Sequence, residues 1–562
     1  MKNVIFTLSF ICITFLSQAQ NPSLLWAKSV GGTGYDVGNA MVIDASGNVY
    51  TTGNFEGTVD FDPGAGIFNL SSAGMGDIFV LKMDASGNFV WARNMGGTKN
   101  DNAHSISVDG SGNVYTTGAF RDTADFDPGV AVLNLNGLGD NMFISKLNAS
   151  GNLVYAKGIF GSVGTVGRSI ALDASNNVYV TGHFQNTIDC DPGPGTFSIT
   201  SVGWDDILIL KLDASGNFVW ANSMGDIVFD EGYSIAIDMS GNVYTAGTFK
   251  GTVDFDPGAG ILNLTSTTNG DVFVSKLNAS GNLVWAKSMG GTGVETCYGI
   301  ALDASGNAVI TGGYMGTMDF DPGAGIFNLT SAGIYDIYIS KLNPAGNFVF
   351  AKSMGGSGTD QALAIALDAT GNIYTTGNYS GTSDFDPGPG TYTLSGSQSV
   401  FISKLDVSGN FVWAASIAGT SGLGRGIAID ASDNIHTAGF FGGTSDFDPG
   451  AGTFNLMSAG GPDIFIQKMR PTSPTSISEF KVKGEGLLVY PNPNNGSFKI
   501  QMNDEIENGE IILINSIGEK VWTQKIKNGE NNIITHGLSS GLYCYVISQN
   551  NQQVNKGKFI IR

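Results

Sequence analysis

The chain has 562 residues, of which 42% are hydrophobic and 81 are glycine, and its formal net charge is −21. The hydrophobic share is enough for a buried core, while abundant glycine and few charged helix-forming runs suit short strands and tight turns. A surface this acidic argues against nucleic acid or anionic membrane as a partner and for cations or basic partners.

Taken in order, the first 19 residues read as a signal peptide. Lys2 supplies a positive start, 4–16 is an apolar run too short to span a bilayer, and Ser17-Gln18-Ala19 offers small residues for a cut after Ala19. No cysteine stands at that cut, and no later segment is long and apolar enough to cross a membrane as a helix. Cys190, Cys297 and Cys544 remain in the exported chain. Three scattered cysteines make no disulfide framework.

Residues 20–470 form one repeat array. Asp60-Phe61-Asp62-Pro63-Gly64 recurs at 125–129, 189–193, 254–258, 319–323, 384–388 and 446–450, with starts 65, 64, 65, 65, 65 and 62 residues apart. A fixed period of this kind marks a repeat architecture. Only the third copy departs, with Cys190 in place of Phe, which reads as a packed thiol. Each period holds four extended segments. The first alternates large and small residues, as in Ser234-Ile235-Ala236-Ile237, and ends at an Asp. That alternation suits a strand buried on both faces between stacked sheets. A turn such as Asp44-Ala45-Ser46-Gly47-Asn48 leads to the second strand, Val49-Tyr50-Thr51-Thr52-Gly53. The Asp-Phe-Asp-Pro-Gly loop follows, then a third strand such as 77–82, a second tight turn such as 84–88, and a fourth strand such as 89–93. The fourth strand carries an aromatic in every copy: Trp26, Trp91, Tyr155, Trp220, Trp285, Phe350 and Trp413. The first fourth-type strand, 24–30, has no partners before it, and the last third-type strand, 463–469, has no fourth strand after it. Pairing the two completes a seventh four-stranded sheet and closes a ring, hiding the sheet edges. The expectation is an all-β, seven-bladed β-propeller of four-stranded blades.

The run Asp-Ala-Ser-Gly-Asn-Val-Tyr-Thr-Thr-Gly, with Asp-Ile-Phe-Val-x-Lys-Leu and Val-Trp-Ala-Lys-x-Met-Gly-Gly, resembles the bacterial beta-propeller repeat called SBBP over 24–470. That resemblance implies a propeller and no particular activity. Residues 471–486, opening with Pro471-Thr472-Ser473-Pro474-Thr475-Ser476, read as a linker. Strand-like runs at 487–490, 497–501, 510–514, 543–547 and 558–561 point to a small β-sandwich over 487–562. Val489-Tyr490-Pro491-Asn492-Pro493, the 537–543 stretch Gly-Leu-Ser-Ser-Gly-Leu-Tyr and the terminal Lys558-Phe559-Ile560-Ile561-Arg562 resemble the type A sorting domain of type IX secretion in Bacteroidetes. The resemblance implies Sec export, recognition of 487–562 by the type IX machinery, removal of that domain by a cut within 471–486, and a cargo left on the surface or released.

Meandering strands alternate ends, so both Asp-x-Ser-Gly-Asn turns belong on one face of the disc. The Asp-Phe-Asp-Pro-Gly loops and the crossovers between blades belong on the other. That face gathers Asp60, Asp62, Asp125, Asp127, Asp189, Asp191, Asp254, Asp256, Asp319, Asp321, Asp384, Asp386, Asp446 and Asp448, together with the crossover residues Asp36, Asp101, Asp230, Glu231, Glu295 and Asp360. Alternating carboxylates with loop carbonyls suit calcium, one ion per loop. The alternative is that the second Asp caps the Pro-Gly turn and the first accepts backbone N–H bonds, with no ion.

At the inner rim of the same face, five residues before each first-strand Asp, stand Asn39, His104, Arg168, Tyr233, Tyr298, Leu363 and Arg425. Their strand neighbours hardly vary, so this ring is the candidate ligand-binding set. His104, His183, His436 and His536 fall at unrelated places in the chain and imply no shared metal site. No nucleophile, paired-His or phosphate-loop pattern stands out, and seven near-identical carboxylate pairs single out none for glycoside hydrolysis. The reading is a non-catalytic, exported binding or adhesion module for a carbohydrate or protein ligand. A secreted polysaccharide hydrolase or lyase, and a structural surface-layer component, are the alternatives.

Overall fold

The structure, a computed structural model, describes residues 21–471 apart from 268, 269 and 420. Within 487–561 it describes all but 491, 493–495, 503–508, 516–519, 528, 536–537, 540 and 550–551. The expected signal peptide and residues 472–486 of the linker lie outside the described residues. The chain divides into two compact units, Met1–Thr472 and Ser473–Arg562.

The first unit is a succession of antiparallel meanders. In the fifth repeat Glu295–Leu302, Ala308–Tyr314, Asp336–Leu342 and Phe348–Gly356 pair in chain order. The other repeats follow the same order. The last meander, Ser421–Ile429, Ile435–Gly442 and Asp463–Arg470, takes its fourth strand from Ser23–Val30. The register runs from Leu24 opposite Met469 to Val30 opposite Ile464. The first strands also touch in a closed circle, with Val37–Ile43 against both Asn102–Val108 and Ser421–Ile429. The fold is the all-β propeller expected, closed by the strand pairing that the frame shift at the two ends foretold.

The core lies between neighbouring sheets. One cluster joins Tyr244, Val272 and Val274 of the fourth repeat to Ile300, Tyr314, Phe320 and Tyr338 of the fifth. The second and third strands are the buried ones, and all seven residues of Asp271–Leu277 are buried. The first strand is not buried on both faces as its alternation suggested. Ile235 and Ile300 are buried, but Ala236 and Ala301 beside them are only partly buried, because the innermost strands border the central axis.

Two devices hold the turns. Gly306 sits at φ 77° in the first turn, and Asp303 Oδ1 accepts the Ser305 and Asn307 amides. Asp303 Oδ2 accepts Asn307 Nδ2 and pairs with Lys341 Nζ at 2.9 Å, and these hydrogen bonds hold its carboxyl below the ordinary value. In the other turn, the fourth-strand aromatic of one repeat covers the turn glycine of the next. Trp285 lies against Gly346 and donates its Nε1–H to the Pro344 carbonyl at 3.0 Å. The Trp26 ring covers Gly87, without the indole hydrogen bond, so the N-terminal strand packs on the first repeat as well as pairing with the last.

The second unit contains two sheets. Leu487–Tyr490, Ser497–Met502 and Gly529–Ile534 form one, and Lys520–Ile526, Gly509–Ile514, Gly541–Gln549 and Gln552–Ile561 the other. Phe498, Ile500, Ile511, Ile533, Tyr545 and Phe559 share one core, giving a β-sandwich. The strands at Lys520–Ile526 and Gly529–Ile534 are additional to those expected from the sequence. No helix of the described residues is long and apolar enough to cross a membrane.

Candidate functional site

The repeated loop is the tip of a two-stranded arm. In the fifth repeat Thr317–Asp319 pairs with Asn328–Thr330, and Phe320 turns back to lie fully buried against Tyr338. Cys190 takes that buried place in the third repeat, and burial pushes its thiol up to about 12. Asp319 Oδ1 accepts the amides of Asp321 (3.0 Å) and Phe327 (2.8 Å), and Asp321 Oδ1 accepts the amide of Gly323 (2.8 Å). All seven loops repeat this pattern, from Asp60 and Asp62 to Asp446 and Asp448. The arm also clasps the preceding repeat, since Gly290 and Gly291 pair with Asp319 and Met318. A side chain on Gly291 would collide with the Thr317 carbonyl, which explains the second glycine of Met-Gly-Gly. The first glycine, Gly290, makes room for the Asp271 carboxyl.

This geometry yields a test of the calcium expectation. Asn at position 319 keeps a carbonyl oxygen for both amides, whereas Ala leaves them without it. Asp319→Ala should therefore cost about 1–3 kcal/mol and Asp319→Asn much less, with the wild-type melting point equal in EDTA and in millimolar calcium. A saturating rise in melting point with calcium would instead make the loops ion sites.

The crossover acids do not add to the exposed charge. Asp36, Asp101, Asp230, Glu295 and Asp360 are fully buried and lock the crossovers. Asp101, for example, accepts the Gly97 and Arg121 amides. Burial pushes Asp36 and Asp101 up to about 6 and Glu295 up to about 7. Of the six crossover acids only Glu231 stays partly open to solvent.

The ring at the mouth is assembled by a feature the sequence reading missed. In all seven innermost strands the ladder skips one residue, and the residue skipped is the ring member. The skips fall at Asn39, His104, Arg168, Tyr233, Tyr298, Leu363 and Arg425. A bulge re-aims the side chain of the extra residue. The facing glycines, Gly53, Gly118, Gly182, Gly247, Gly312, Gly377 and Gly439, explain the repeated Thr-Thr-Gly. A Cβ at each would collide with a carbonyl of the bulged strand. That glycine, present in every copy, was the available signal.

The bulged residues reach from one repeat to the next. Arg425 Nη1 donates to Asn39 Oδ1 at 3.1 Å, and Asn39 Nδ2 donates to the Ala103 carbonyl at 2.9 Å. His104 Nδ1 donates to the Gly167 carbonyl at 3.0 Å. The Arg168 guanidinium lies 5.5 Å from the Tyr233 ring centroid, and the rings of Tyr233 and Tyr298 meet edge to face at 5.5 Å. Burial, together with the nearby Arg168, pushes His104 down to about 4, so it is neutral at pH 7. Leu363 takes no part in these contacts.

Around Arg168 the sevenfold repetition breaks. A pocket of about 290 Å³ is lined by Asn102, His104, Ala119, Arg121, Asp140 and Arg168 among others. Arg121 and Asp140 close its rim with a two-pronged ion pair at 2.9 and 3.2 Å. Beside it His183, Asp205 and Glu231 converge, and Trp204 and Phe229 stand in solvent with ring centroids 5.7 Å apart. The bulge position is not alone in differing between copies. The positions of His183 and Glu231 vary as freely, with Asn54, Ala119 and Thr248 matching the first and Val37, Asn102 and Val166 the second.

Sequence comparison identifies a beta-propeller repeat of the SBBP type at 90–119 and a secretion system C-terminal sorting domain at 488–562. The chain is therefore a β-propeller protein addressed by its C-terminal part to type IX secretion, which delivers it to the cell surface or outside. An uncharacterised WD repeat-containing protein of Acanthamoeba polyphaga mimivirus is 25% identical over 515 residues, covering 76% of this chain and 37% of that protein. The chain thus spans little more than a third of that relative's length. Among solved structures, a fungal alcohol oxidase of the AA5 family in complex with copper is 13% identical, covering 96% of this chain and 100% of its own, with a TM-score of 0.37. PorZ, a surface component of the type IX secretion system of Porphyromonas gingivalis, is 12% identical, covering 95% and 74%, with a TM-score of 0.28.

Proposed function

We propose that this exported propeller holds a carbohydrate ligand at the mouth of its central axis and does not turn it over. The observation that carries the reading is the bulge ring. The bulged position of the innermost strands differs from copy to copy, and six of its seven residues form a line of hydrogen-bond donors and aromatic faces. Arginine, imidazole, amide and phenol groups beside tyrosine rings suit hydroxyl-rich ligands, which need several polar contacts and an apolar face. The exposed Trp204 and Phe229 extend that surface outward from the pocket.

The test is retention of the full exported chain on a panel of immobilised glycans, followed by assay of the eluate for released sugar. Retention without release is expected, together with its loss in a Tyr233→Ala, Tyr298→Ala, His104→Ala triple variant that melts like the wild type. Release of product would point instead to a hydrolase or lyase. Retention that survives the triple substitution would remove the ring from the reading. Binding to a protein but to no glycan would keep the module and change the ligand class.

A further inference from the structure

We propose that His183, Asp205 and Glu231 form a binding site for a borderline divalent cation of the Zn²⁺ class, set between the third and fourth repeats beside the mouth. One ligand atom from each side chain lies within 4.8 Å of the others. This is the one such group of three or more among the described residues. The three residues come from separate elements. His183 lies in Val178–Asp189, Asp205 just before Asp206–Leu212, and Glu231 at the start of Glu231–Ile237.

The second observation is the imidazole itself. His183 is 8% exposed, and its Nδ1 has no hydrogen-bond partner. That nitrogen points at Glu231 Oε2 from 3.7 Å, too far for a hydrogen bond. An unpaired buried ring nitrogen is costly unless something satisfies it, and a cation between imidazole and carboxylates does so. The neighbouring groups hold the carboxylates in place. Gln185 Nε2 donates to Asp205 Oδ1 at 2.7 Å, and Arg168 Nη2 approaches Glu231 Oε2 at 3.4 Å. Such partners orient metal-binding side chains. Of the two carboxylates only Glu231 is ion-paired with Arg168, so among the described residues the Asp205 charge is uncompensated at a largely enclosed place, which further favours a cation.

The donor set selects the ion. One imidazole nitrogen with two carboxylate oxygens suits Zn²⁺ or a neighbouring first-row ion, with positions left for water. Calcium prefers oxygen donors alone, so this site is distinct in chemistry from the repeated loops. Nothing in it depends on the glycan reading.

The test is titration of the full exported chain, first dialysed against chelator, with Zn²⁺, and separately with Co²⁺ while its visible absorption is followed. One equivalent should bind, with the absorption of Co²⁺ held by nitrogen and oxygen donors. Glu231→Gln and His183→Gln should each weaken binding about tenfold or more. Glu231→Gln preserves shape at a position still partly open to solvent, and so keeps the test valid even if the histidine variant fails to fold. No stoichiometric binding by the wild type, or equal binding by Glu231→Gln, would overturn the proposal. Calcium at the same concentration should not displace the bound ion.

Discussion

Deleting residues 21–30 should cost roughly 5 kcal/mol or more, at about 1.5–3 kcal/mol for each large apolar side chain withdrawn from water. That is a large share of a typical folding free energy. Ser23–Val30 is the outer strand of the last sheet, with Ala27 and Val30 buried and Leu24 and Trp26 packed against the last and first repeats respectively. Its loss exposes the edge of Asp463–Arg470 and removes the Trp26 cover from Gly87. A bare strand edge recruits other chains. The truncated chain should therefore melt far below the wild type and elute as aggregates in size exclusion. A synthetic peptide of residues 21–32 added in trans should restore part of the melting point by strand addition. A truncated chain that stays monomeric and melts within a degree or two of the full one would show that closure contributes little.

Stability should fall, not rise, between about pH 4 and pH 7. Five junctions bring two buried carboxylates together: Asp36 with Asp463, Asp77 with Asp101, Asp206 with Asp230, Asp271 with Glu295, and Asp336 with Asp360. In each pair at least one member has a carboxylate oxygen with no hydrogen-bond partner: Asp463 Oδ1, Asp77 Oδ1, Asp206 Oδ1, Glu295 Oε2 and Asp336 Oδ1. That oxygen is the one available to a proton. Burial above all, and then the neighbouring acid, pushes Asp77 up to about 7 and Asp336 to about 6. A folded-state value raised above that of the unfolded chain means that the contribution is fully present below about pH 4. It is lost as pH rises through 6 to 7. At roughly 1.4 kcal/mol per tenfold change in proton affinity, each group is worth a few kcal/mol.

The turn aspartates act in the opposite sense. Asp44, Asp109, Asp303 and their counterparts are held low by hydrogen bonds, so their contribution is lost on acidification below about pH 4. Together the two sets place the stability maximum near pH 4–5. Melting at about pH 5 and pH 8 checks this, with Asp77→Asn as the diagnostic variant. The amide keeps an acceptor for Ala73 and offers a donor toward Asp101, so the variant should match the wild type at pH 5 and exceed it at pH 8. A flat profile in the wild type, or a variant weaker at pH 8, would refute the account.

How much was legible in advance follows from which contacts repeat. The period of the Asp-Phe-Asp-Pro-Gly loop, the alternation within each strand and the Asp-x-Ser-Gly-Asn turns are local patterns. The ladders Glu295–Leu302 to Ala308–Tyr314 to Asp336–Leu342 to Phe348–Gly356 come directly from them. Even closure was readable, because a fourth-type strand at one end and a missing one at the other can be matched by counting. The tail was readable for another reason: its motifs at 489–493, 537–543 and 558–562 are specific enough to identify a sorting domain.

Contacts between repeats were not readable. The clasp of three arms on the preceding Met-Gly-Gly, the burial of Asp36 and Asp101, and the bulge that turns His104 and Tyr233 toward the next repeat all depend on how adjacent sheets stack. The same sequence period is compatible with many such stackings. His183, Asp205 and Glu231 show the limit most clearly. Each stands at a position that differs from copy to copy, and no spacing links them along the chain. By itself the sequence determined the strands, their order and the closed ring, because those rest on hydrogen-bond ladders and turns between near neighbours. Only the tertiary structure decided which of the many acids are locks and which varied residues meet at the mouth, because burial and convergence arise from sheet against sheet.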